Sequence, residues 1–88
     1  MKTKEKETEI EPSKEKPAGS QSLFRGLQLI EILSNYPNGC PLAHLSELAQ
    51  LNKSTVHRLL ASLVGLGYVA QNDENGHYRL TLKMFELS

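Results

Sequence analysis

HLSELAQLNKSTVHRLL, residues 44–60, reads as two short amphipathic helices around a tight turn, the pattern of a helix-turn-helix. Asn52 is a good N-cap for the second helix, because its side-chain oxygen can accept from the unpaired amides of the first turn. From there Val56, Leu59, Leu60 and Leu63 recur at i, i+3, i+4 and i+7, which predicts one buried stripe with Leu59 and Leu63 under the helix. The opposite face carries Ser54, His57, Arg58 and Ala61, with Lys53 and Thr55 near its edges. That face holds fixed positive charge and no carboxylate.

A major groove admits one α-helix, and its base edges are read by hydroxyls, imidazoles and guanidinium forks projecting from the helix's first turns. Ser54, Thr55, His57 and Arg58 are residues of that kind in those turns, and Lys53 suits a phosphate. Ala61 and Ser62 are small enough to let the helix approach the groove walls, and the amides near residues 52–54 offer a phosphate site. Any surface helix has a polar face, however, so the flanking segments decide.

Gly67 is placed as a left-handed C-cap, and residues 68–71 (YVAQ) form a short strand. NDENG at 72–76 is a turn cluster, after which Tyr78, Leu80 and Leu82 alternate with His77, Arg79 and Thr81 over residues 77–82. A helix-turn-helix followed at once by a β-hairpin is a winged helix, whose hairpin can touch the phosphate backbone or minor groove beside the recognition helix. The expected fold is therefore mainly α with a small β-hairpin: a winged helix-turn-helix over residues 20–81, a three-helix core plus wing, with a recognition helix at about 52–66.

The first helix is expected over residues 22–35, with Ser20 or Ser22 as cap and Pro37 fixing its end. Leu23, Leu27 and Ile30 line one side, while Leu29, Ile32 and Tyr36 fall on another with Leu33 between. A helix apolar on two sides has two partners or sits centrally in its own fold, and the residues alone leave both open. Arg25, near its start, could reach a phosphate across the groove or remain a solvated surface arginine.

An 88-residue chain allows one domain, and its formal net charge is zero. Five lysines and five glutamates cancel within residues 1–16, so residues 1–19 read as a disordered mixed-charge tail. The remaining charges cancel too, yet no acid occurs from residue 48 to 72, where Lys53 and Arg58 lie. Modest non-specific affinity for DNA with a moderate salt slope follows. Cys40 is the only cysteine, which excludes an internal disulfide and suits packing near the Asn38-Gly39 turn rather than chemistry. No apolar run suits a membrane span or signal peptide, and a cytoplasmic, membrane-free protein is expected. His44, His57 and His77 lie on separate elements, and no nucleophile motif, metal spacing or phosphate loop stands out, so neither enzyme activity nor a metal or other cofactor is expected. Residues 82–88, LKMFELS, look like the opening turns of a linker helix.

LNKSTVHRLLASLVGLGYVAQ at 51–71 followed by YRLTLKMFELS at 78–88 resembles the N-terminal DNA-binding domain of the IclR family of bacterial transcription regulators. The resemblance covers residues 19–88, and the run GSQSLFRGLQLIEILSNYPNGCPLAHLSEL at 19–48 is similar to a branch that regulates sugar-acid catabolism. It implies a winged-helix homodimer on double-stranded DNA, reading a pseudo-palindromic operator and acting as a repressor. A linker helix would lead to a C-terminal domain, absent here, that binds a small-molecule effector. With the resemblance, the second side of the first helix becomes a subunit contact, and Leu29 and Ile32 are its expected members. Ile32→Glu should then give a folded monomer. Two departures stand out against the family pattern: Ser46 replaces the usual Ala at the contact between the two helices, and Gln50 replaces the usual Gly of the turn. Serine is small enough there, but Gln50 in a left-handed turn costs about 1 kcal/mol, so the turn is either slightly rearranged or carries that strain. The rival is a winged helix used for protein–protein contact without DNA, which an apolar or acidic recognition face would favour.

Overall fold

The computed structural model describes residues 20–87, so the expectation for the 1–19 tail lies outside the described residues. Helix α1 runs Gln21–Leu33, α2 Leu42–Ala49 and α3 Lys53–Leu66; strands β1 (Val69–Gln71) and β2 (Tyr78–Leu80) form the hairpin, and a turn of helix, α4, follows at Lys83–Glu86. This is the winged helix-turn-helix arrangement, with elements trimmed relative to the sequence reading. Helix α1 stops two residues early because Asn35 and Tyr36 donate to the carbonyls of Ile32 and Leu33, three residues back, which tightens the chain before Pro37 is reached. Ser20 stands at the N-cap position without a side-chain cap bond.

The core is built from one stripe of each helix and the inner residues of the hairpin. Leu29 and Leu33 of α1, Leu45 and Ala49 of α2, Val56 and Leu60 of α3, Val69 and Tyr78 of the strands, and Cys40 are all buried. Ile32, Tyr36, Leu59 and Leu63 are half-buried against them. Two expectations are corrected here. The fully buried line of α3 is Val56 and Leu60, while Leu59 and Leu63 form its margin. More consequentially, Leu29 is sealed inside the domain and Ile32 packs on the same core, so the face they share is not free for a second subunit. The exposed side of α1 is the other one, with Leu23 64% and Leu27 51% exposed. An Ile32→Glu chain would place a carboxylate against the core and unfold rather than dissociate.

Of the two alternatives for the turn between α2 and α3, the structure shows the strained one: Gln50 adopts φ 58°, ψ 43°. It is held from both sides, by Leu51 N donating to Ser46 O at 3.1 Å and by the Ser46 hydroxyl donating to Leu51 O. Serine at position 46 is thus a clasp across the turn as well as a small residue at a helix contact. Gln50→Gly is expected to raise stability by about 0.5–1 kcal/mol, since glycine meets no Cβ penalty in this region. Equilibrium denaturation checks it, and an unchanged midpoint would show that the turn carries no strain.

In the hairpin, Val69, Ala70 and Gln71 pair with Leu80, Arg79 and Tyr78 in antiparallel register. The tip is organised by Asn72, whose Oδ1 accepts from the amides of Glu74 (2.8 Å) and Asn75 (3.0 Å), and the chain returns through Gly76 at φ 76°. Tyr78 also exchanges two backbone bonds of 2.9 Å with Cys40, fastening the wing to the loop after α1. Leu82 is not a strand residue: it is 72% exposed and stands at the N-cap position of α4. Burial pushes the Cys40 thiol upward, which keeps it protonated and inert, in line with packing rather than chemistry.

Candidate nucleic-acid interface

Helix α3 begins where its cap dictates. Asn52 sits in an extended conformation (φ −74°, ψ 161°) and its Oδ1 accepts from Thr55 N at 2.9 Å. The Ser54 hydroxyl donates to the same oxygen at 2.9 Å. Ser54 is therefore part of the cap, and a base contact through it would use its lone pairs or cost that bond. The sequence placed Ser54 on the outer face without foreseeing this engagement.

Val56 and Leu60 turn inward, and this orients the remaining side chains. Lys53, Ser54, His57, Arg58, Ala61 and Ser62 are exposed, while Thr55 is half-buried at the edge. Their spacing by three, four and seven residues keeps Ser54, His57, Arg58 and Ala61 on one face. Neither Lys53 nor Arg58 has a carboxylate partner among the described residues, so both charges remain available. The first two turns of α3 thus combine a cation, a guanidinium fork, an imidazole and free helix amides.

Arg25 stands apart on α1, half-buried, with its Nε sealed from solvent and without a hydrogen-bond partner. The sealed Nε cannot itself meet a phosphate outside the domain, so a phosphate contact by Arg25 would go through its terminal guanidinium nitrogens. The wing offers less than its place in the fold suggests. Its tip carries the exposed carboxylates of Asp73 and Glu74, and the amides of Glu74 and Asn75 are consumed by Asn72. Any attraction from the hairpin must come from Arg79, exposed on β2. Among the described residues no three His, Cys, Asp or Glu side chains cluster to hold a metal ion, and no helix is long and apolar enough to cross a membrane.

Two helices about a left-handed turn, a third helix packed behind them and a hairpin beside the second define a winged helix-turn-helix domain. The model of the IclR helix-turn-helix domain matches residues 22–73, and the chain belongs to that family. It is 73% identical over 78 residues to the DNA-binding transcriptional repressor YiaJ of Escherichia coli K12, covering 89% of this chain and 28% of that protein. It is 58% identical over 79 residues to an HTH-type transcriptional regulator of Haemophilus influenzae, covering 90% of this chain and 30% of that one. Among solved structures, an IclR family transcriptional regulator from Brucella abortus superposes with a TM-score of 0.73 at 29% identity, over 88% of this chain and 30% of that chain. The chain thus spans less than a third of the length of these relatives.

Proposed function

We propose that the domain reads double-stranded DNA by seating α3 in the major groove, with Arg58, His57, Ser54 and Thr55 toward base edges and Lys53 and Arg25 on phosphates. The observation that carries this reading is the outer face of α3: exposed, cationic, free of carboxylates and aligned with the helix's amide end. The protein it belongs to acts as a transcriptional repressor, a reading supported by the 73% identity to a repressor. Its targets are genes of sugar-acid catabolism, on the strength of the resemblance in residues 19–48, and its small-molecule effector binds a C-terminal domain outside this chain. Titration with duplex DNA at two salt concentrations tests the reading. Binding that weakens moderately as salt is raised supports it, and absence of binding at low salt favours the protein-contact alternative.

The same proposal includes a symmetric homodimer through α1, moved to the face that the core leaves open. Leu23, Leu27 and Ile30 of α1 line a shallow apolar groove with Leu66, Met84 and Leu87. Exposed leucines gathered in this way favour a contact with a second copy of the same surface about a two-fold axis. Leu27→Glu is expected to yield a folded monomer with weakened operator binding, because position 27 is 51% exposed within the domain. Sedimentation of parent and variant on a palindromic duplex checks it. A parent that stays monomeric there removes the dimer.

A further inference from the structure

Lys83 lies in α4, beyond the wing, yet its ammonium donates to Leu66 O, at the C-terminal end of α3, at 2.6 Å. The same ammonium stands 5.0 Å from the centroid of the Tyr68 ring. Thr81 joins in: its hydroxyl donates to Gly67 O at 2.6 Å and accepts from Lys83 N at 3.2 Å, and its amide donates to Tyr68 O at 3.0 Å. Gly67 makes room for this, being left-handed at φ 91°, with a Cβ there falling 3.4 Å from Lys83 Cδ and 3.5 Å from Nζ. The lysine stem crosses bare backbone.

The last carbonyls of a helix lack intrahelical partners and carry the negative end of its dipole, so an ammonium is the group that satisfies them. An aromatic face on its other side adds a second attraction. Each contact is small at a solvent-exposed site. Together they tie residues 81–83 to three consecutive residues, 66–68, and so constrain orientation as well as distance. They act at the end of α3 opposite its cap, about 20 Å from the first turn that faces DNA.

We infer that residues 66–68 and 81–83 form a joint that fixes the recognition helix to the segment following the wing, with Lys83 as a positioning residue for sequence reading. The inference rests on the DNA-binding reading above, and it assigns Lys83 no contact with DNA. Binding is measured on an operator duplex obtained by selection and on a scrambled duplex, for the parent, Lys83→Met, Lys83→Arg, Thr81→Val and the Lys83→Met/Thr81→Val pair. Lys83→Met is expected to lose roughly two- to fivefold on the operator, with scrambled-duplex affinity and salt slope unchanged. Lys83→Arg should restore most of the loss, since a guanidinium can donate to the same carbonyl, and the double variant should lose less than the product of the singles. Equal losses on both duplexes with the salt slope reduced by about one would make Lys83 a phosphate contact and overturn the joint. Unchanged operator affinity in Lys83→Met would overturn it as well. A parent that discriminates no sequence overturns the DNA reading itself. The joint is then judged on amide exchange without DNA, where Lys83→Met should speed exchange at Gly67 and Tyr68 and unaltered protection would overturn it.

Discussion

Leu60→Ala is expected to cost about 2–5 kcal/mol of folding stability, enough to remove much or all of what holds so small a domain together. Leu60 is fully buried in α3 and belongs to the same cluster as Leu29 of α1, Leu45 of α2 and Val69 of β1. Truncation there opens a cavity that faces every layer of the fold, with no exposed side from which water or a neighbour can fill it. Leu59→Ala should cost less, because Leu59 is half-buried at the margin of the core. Thermal or denaturant unfolding of both variants decides the matter. A Leu60 variant that melts like the parent, or a Leu59 variant that melts lower than the Leu60 variant, would mean that the buried stripe of α3 is misassigned by one position.

Arg58→Ala is expected to cost about 1–3 kcal/mol of specific binding and to relax the preference at one base pair, as loss of a bidentate guanine contact does. Arg58 is exposed on the outer face of α3, and no carboxylate among the described residues competes for its fork. Lys53→Ala should behave differently, weakening binding to all sequences alike and lowering the salt slope by about one. Truncating Ser54 mixes two effects, because its hydroxyl bonds Asn52 Oδ1 and its loss loosens the cap. Fluorescence anisotropy on duplexes altered one base pair at a time separates these cases. Arg58→Ala with unchanged affinity and unchanged preference would remove Arg58 from the base-reading set.

The recognition helix was legible because its signals agree: an Asn cap, a 3.6-residue stripe and a glycine stop coincide at residues 52, 56–63 and 67, and the structure ends α3 where they say. The outer face followed from the same periodicity, since residues excluded from the core must point out. The first helix was harder. Its apolar residues occupy two sides, and periodicity states that two sides exist without saying which meets the core. Only the packing of Leu45 and Leu60 against Leu29 settles that, and it reverses the face left over for a partner. Long-range bonds were equally silent. Nothing in the spacing of Cys40 and Tyr78 announces that they pair, and nothing in LKMFELS announces that the Lys83 ammonium reaches Leu66 O. Hydrogen bonds between residues 14 to 38 apart depend on how the chain returns, which the local pattern does not encode.

The most direct test of the account is selection of bound sequences from random duplex DNA with this chain, followed by footprinting on the enriched sequence. The expected result is enrichment of a pseudo-palindrome whose half-sites are centred one helical turn or a multiple of it apart, with major-groove protection in each half, and with the preference at one base pair of each half-site lost in Arg58→Ala. A pool that binds without enriching any sequence, or one that enriches the same sequence with Arg58→Ala as with the parent, would contradict it.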